Sequence, residues 1–143
     1  MNGVATVRSI GHELAARAVQ AAVAKGGEAG WPLVAAVVGS TGELVALLRA
    51  TGAPFQSAQI AKDKAYTAAS FKVPSPEVFK MVSGNPALSA GIAAKPGIAM
   101  FGGGLPIAIA GEIVGAIGVS GGTEELDTQC ANAALTAIGA AQY

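Results

Sequence analysis

Apolar residues recur at spacings of three and four through Val7, Ile10, Leu14, Ala18, Ala21 and Ala22, the period that turns one face of a helix toward a core. Thr6 stands where a cap would start that helix and Gly26-Gly27 where it would stop, so the pattern predicts a helix over residues 6–25. The period then changes. Residues 33–38 and 44–48 are aliphatic runs joined by Gly39-Ser40-Thr41-Gly42, turn chemistry that predicts an antiparallel hairpin. Arg49 closes the second strand, and 50–54 reads as a loop. From 56 to 71 the pattern is helical again, with Ala58, Ala61, Ala65, Ala68 and Ala69 forming a smooth stripe suited to close packing. Ser75-Pro76-Glu77 is a helix start with Ser75 as cap, and Gly84-Asn85-Pro86 ends that short helix. Residues 87–96 show no clean period and read as a loop or a short turn of helix. Strands are expected over 97–101, 106–110 and 113–119, linked by Gly102-Gly103-Gly104 and a tight turn at Gly111-Glu112. A last helix after Ser120-Gly121-Gly122-Thr123 carries Leu126, Cys130, Ala133, Ala134, Ala137 and Ile138 on one face. The order α-β-β-α-α-β-β-β-α predicts a single α+β domain over 1–143, with helices against a five-stranded antiparallel sheet.

Composition sharpens this picture. The chain has 143 residues, 52% of them hydrophobic and 13% charged, and its 32 alanines and 20 glycines force backbones to pack closely. A chain of this length buries roughly 68–70% of its unfolded surface and folds without a disulfide or metal. Nine basic residues balance nine acidic ones, which leaves no basic field for nucleic acid and no polybasic patch for a membrane surface. One Cys and one His exclude a disulfide framework and a Cys/His zinc cage. Residues 98–119 are apolar and long enough for a bilayer of ~30 Å, yet their glycines and Pro106 read as strands and turns, so no membrane span is expected. Met1 to Ala5 lacks the charged and apolar regions of a signal peptide, and the expected location is cytoplasmic. Apolar surface beyond what one small domain buries predicts a homo-oligomer, tetramer to octamer.

Chemistry has few places to sit. Ser120, Gly121, Gly122 and Thr123 lie between a strand and a helix N-terminus, where backbone N–H groups and the helix dipole favour an anion; the alternative is a tight turn with Thr123 as cap. Three consecutive glycines at 102–104 cost backbone entropy, which close approach of a ligand or subunit to Gly103 and Gly104 would explain, as would a bulge or wide turn. The fingerprint of a dinucleotide site is excluded, because Gly115, Gly118 and Gly121 do not follow a βαβ strand. Lys64 stands on the margin of the alanine stripe: partly buried, it would act as base, Schiff-base amine or anion anchor, and with its head solvated it would merely snorkel. Arg49 suits a carboxylate clamp or a surface ion pair. His12, the sole histidine, is a candidate haem-iron ligand or general base, or an exposed helix residue. Cys130 faces the packed side of the last helix as an inert thiol, and Glu112 and Asp127 are candidate acids by position alone.

Four segments in order resemble the GlcG/HbpS-like family, also called haem-degrading domains. They are Gly42-Glu43-Leu44-Val45-Ala46 with Arg49 and Gly52-Ala53; residues 60–68 around Lys64; Gly103-Gly104-Leu105-Pro106-Ile107; and residues 115–122 followed by Asp127. The resemblance implies a profilin-like layered α/β/α fold with a five-stranded antiparallel sheet, oligomeric assembly, and haem or a related tetrapyrrole as ligand. Two loops depart from the family's pattern: Ser40 stands where an Asp is usual, and Ala50-Thr51 replaces Met-Asp, so each loop lacks a carboxylate.

Two functions follow. One is an oligomeric binding module in which Gly103, Gly104 and the Ser120 loop receive haem or another small anionic ligand and Arg49 or Lys64 meets its carboxylates. The other is a cofactor-free enzyme of lyase, isomerase or hydrolase type acting on a small carboxylated or aromatic metabolite. There Lys64 is base or amine, Arg49 the clamp, and the N–H groups of Gly104 and Gly122 oxyanion donors.

Overall fold

The strand Val34–Gly39 (β1) is buried at every position because it has a neighbour on each edge and helices over each face. The computed structural model describes residues 2–143. Its elements run α1 (His12–Glu28), β1, β2 (Leu44–Arg49), α2 (Gln56–Phe71), α3 (Ser75–Val82), α4 (Pro86–Ala93), β3 (Gly104–Ile109), β4 (Glu112–Ser120) and α5 (Glu124–Ala137). The strands form one antiparallel sheet in the order β2-β1-β4-β3. This is an α+β fold with helices on both faces of the sheet. No helix among the described residues is long and apolar enough to cross a membrane.

Alternation along β1 divides the core. Ala35 and Val37 face α1 and α5 with Leu105, Ile107, Ile117 and Val119, whereas Val34, Ala36 and Val38 face the alanines of α2. The α2 side is built from very small residues, so the helix lies directly on the sheet. Gly104 and Gly118 pair across β3 and β4; a Cβ on Gly118 would overlap the Ala61 carbonyl and stand 2.6 Å from the Ala65 nitrogen, and one on Gly104 would overlap the Lys64 carbonyl. The glycine run therefore does accept a close approach, and the approaching group is α2 itself.

The sheet has four strands rather than the expected five. Residues 97–101 do not join it because two hydroxyls take their backbone groups: Thr67 Oγ1 accepts from Ala99 N–H at 2.9 Å and donates to the Gly97 carbonyl at 3.1 Å. Ser75 Oγ donates to the Phe101 carbonyl at 2.6 Å and accepts from Gly104 N–H at 3.0 Å. Ser75 is thus occupied away from the helix end it was expected to cap, and Pro74 precedes α3 instead. Residues 86–93 form a full short helix, started by Asn85, whose side chain accepts from Leu88 N–H.

The first helix begins at His12, six residues later than the pattern predicts. Ile10 N–H donates to the Val114 carbonyl at 2.9 Å and Ser40 N–H to Ser9 Oγ at 3.1 Å, which holds the preceding segment against the sheet in a non-helical path. At the other end Gly26 and Gly27 remain helical, and Gly30 with φ +79° follows the helix.

The β3–β4 turn is centred on Ala110 (φ +52°) and Gly111 (φ +80°), one residue before the expected pair. Two left-handed residues in a two-residue hairpin favour Asn-Gly, and alanine pays for that conformation. Ala110→Asn should raise stability by roughly 0.5–1 kcal/mol in urea denaturation; an unchanged or lower midpoint would show that the turn is unstrained.

Candidate functional site

Helix α2 turns Lys64 inward, and the side chain is only 2% exposed. Its Nζ donates to the Val119 carbonyl at 2.8 Å and to Asp127 Oδ2 at 3.1 Å, and it lies 5.1 Å from the centre of the Phe101 ring. Asp127, in the first turn of α5 and equally buried, uses its other oxygen to accept from Gly122 N–H at 3.0 Å. Burial pushes the Lys64 amine below the usual lysine range against the pull of Asp127, and burial likewise pushes the Asp127 carboxyl up against the pull of Lys64. Gly103 (φ +128°) makes room for this pair, since a Cβ there would stand 2.8 Å from Nζ and overlap the Val119 carbonyl. Two protons of the ammonium rest on oxygen acceptors and an aromatic ring covers it, so the geometry is that of an internal cross-tie between α2, β4 and α5.

The neighbouring amides are also engaged. Gly102 N–H donates to Glu124 Oε1 at 2.6 Å and Leu126 N–H to Thr123 Oγ1 at 3.1 Å, so Thr123 caps α5. Ser120 is buried at the end of β4, opposite Val34. The groove beside these loops, about 340 Å³, is lined by Glu124 and Glu125 together with Pro76, Gly102 and Thr128. Two carboxylates on its wall set it against an anionic guest.

Lys64, Gly103, Gly104, Gly122 and Asp127 therefore come together. Arg49 does not join them: it ends the edge strand β2, donates from Nε and Nη2 to the Ala53 carbonyl at 3.2 and 2.9 Å, and lies 5.6 Å from the Phe55 ring centre. Its position opposite Val34, which also pairs with Ser120, puts about two strand spacings, ~10 Å, between the Arg49 and Ser120 backbones. His12 is exposed at the start of α1, two residues past the bond from Ile10 to Val114. Val114 and Ser120 are separated along β4 by ~20 Å, so His12 belongs to the opposite end of the sheet. Cys130 is buried, and burial first and Asp127 second push its thiol up to about 11, as befits an inert packed residue. Among the described residues no group of three or more His, Cys, Asp or Glu side chains is placed to hold a metal ion.

Comparison with known proteins decides the family. The family model described as haem degrading protein HbpS-like matches residues 10–136. The chain belongs to the HbpS-like family. A curated relative of this HbpS-like chain, an uncharacterised 15.0 kDa protein in the dhaT-dhaS intergenic region of Citrobacter freundii, is 35% identical over 136 residues, covering 94% of the chain and 96% of the relative. Among solved structures, Klebsiella pneumoniae protein ORFY superposes with a TM-score of 0.89 at 31% identity, over 99% of each chain. The crystal structure of PduOC in complex with haem superposes with a TM-score of 0.85 at 26% identity, over 94% of this chain and 99% of that one.

Proposed function

We propose that this HbpS-like chain is a homo-oligomeric binding module whose ligand is haem or a related tetrapyrrole. The observation that carries this reading is the likeness, over nearly the full length of both chains, to PduOC in complex with haem. The donor set is compatible with such a ligand. His12 is exposed and makes no side-chain hydrogen bond among the described residues, which leaves an imidazole nitrogen that would be available to hold the iron of such a ligand. The bound tetrapyrrole would bring the iron chemistry, and His12 would hold and orient it. The edge strand β2 supports assembly: Leu44 and Leu47 are exposed there, and Phe55 beyond it is 82% exposed, an apolar surface that a second copy would cover. The enzyme reading has less behind it, because Lys64 is shut into its cross-tie and Arg49 is bound to its own loop.

Haem titration followed by absorption tests the reading. A saturable Soret shift at one haem per chain or per dimer, with ~micromolar or tighter affinity (~8 kcal/mol), is expected for the native chain and its loss for His12→Ala. A weak spectrum that does not saturate would sink the haem reading.

A further inference from the structure

Two grooves meet at Ser40, away from the Lys64 pair. The larger, about 450 Å³, runs between Arg8 ahead of α1, Ser40 in the β1–β2 hairpin, Lys72 just past α2, and Glu112 at the head of β4. The smaller, about 210 Å³, shares Ser40 and Lys72 and adds the hydroxyl side chains of Thr41 and Ser70.

Three features of this place have no explanation within the fold. Ser40 Oγ is closed off from solvent and has no hydrogen-bond partner among the described residues, although buried hydroxyls nearly always find one. Lys72 occupies the left-handed position that ends α2 (φ +60°, ψ 33°), where glycine would sit without strain, and its side chain lines both grooves. The charges are also unevenly matched. Lys72 has no carboxylate within ion-pair distance among the described residues, and Arg8 meets Glu112 at 3.2 Å in a pair exposed on both sides and thus easily exchanged. The nearby Glu43 is already held by the hydroxyls of Thr41 and Ser9.

We propose that this groove binds a carboxylate group, with Lys72 as its point charge, Arg8 as the planar donor that exchanges Glu112 for it, and Ser40 Oγ, once turned about χ1 into the groove, as a hydroxyl donor. Arginine matches a carboxylate with two parallel N–H groups, and lysine adds attraction without demanding a fixed angle. The carboxylate belongs either to a free small organic acid or to an acidic side arm of a larger ligand such as a tetrapyrrole. The site lies on other residues than the His12 donor and stands whether or not haem binds.

Succinate, added to the full chain without haem at constant ionic strength and followed through backbone amide NMR shifts, is the direct test. Saturable shifts confined to the neighbourhood of Arg8, Ser40, Thr41 and Lys72 are expected. Lys72→Met should weaken them about tenfold, Lys72→Arg should keep them, and Ser40→Asp, which adds a carboxylate to the groove, should remove them. Both positions are at the surface or its margin, and unchanged spectra elsewhere would establish that the variants are folded. Adding succinate during a haem titration separates the two sources: competition assigns the carboxylate to the tetrapyrrole, and indifference assigns it to a free acid. Absence of saturable shifts, or shifts of equal affinity in Lys72→Met, would overturn the proposal.

Discussion

Lys64→Met loses about 3–5 kcal/mol of stability, because it leaves the Asp127 carboxylate buried without its counter-charge. The double variant Lys64→Met with Asp127→Asn recovers most of that loss, since an asparagine still accepts the Gly122 N–H and brings no buried charge. The directions of the two shifts give the reason. A carboxyl whose folded value is raised contributes stability that is complete below its ordinary value and lost as pH rises through the raised one. An amine whose folded value is lowered contributes stability that is complete above its ordinary value and lost as pH falls through the lowered one. Burial costs both groups hydration, and their mutual attraction and hydrogen bonding offset that cost only while both partners are present. Urea denaturation of the three proteins measures this directly; a loss below about 1 kcal/mol in the single variant, the value of a solvated surface pair, would refute the cross-tie.

Gly118→Ala should cost about 3 kcal/mol, the upper range for overpacking, although it adds a single methyl group. The new Cβ would overlap the Ala61 carbonyl, and neither a strand at the centre of the sheet nor a helix backbone can swing aside as a side-chain tip would. The helix must rise, which also opens the contacts of Ala65 and Ala68 with the sheet. Gly84→Ala is the natural control, because a Cβ there meets nothing within 4 Å. Equal denaturation midpoints for the two alanine variants would mean that α2 does not rest on β4 as closely as the structure has it.

Local pattern carried the hairpin of residues 33–48 and helices α2 and α5, whose apolar periods are uninterrupted. It failed where distant groups decide. Residues 97–101 have the apolar character of a strand, but the hydroxyls that claim their backbone come from Thr67 and Ser75, 30 and 26 positions from the groups they bind. Thr6 is a sound cap by composition, and the bond between Ile10 and Val114 overrides it. The edge of the alanine stripe left Lys64 either partly buried or with its head in solvent, and the fold decides for burial; its partner Asp127 was only one of two acids placed by position. The glycine run was open to a close approach of a ligand or subunit and equally to a bulge, and no spacing could say that the crowding group is a lysine of the same chain. Arg8, Ser40 and Lys72 come from three separate elements and share no periodicity, so nothing in the sequence gathers them.

The lysine tie also bears on the order of folding events. Its acceptors lie 55 and 63 positions along the chain, so the loop it closes is long and the sheet must already be in place to present the Val119 carbonyl. An ammonium gives up its water only when those acceptors have arrived, so the contact is expected to form late, and Lys64→Met should speed unfolding far more than it slows folding in stopped-flow measurements. The buried charge thereby acts as a latch on the lifetime of the native state.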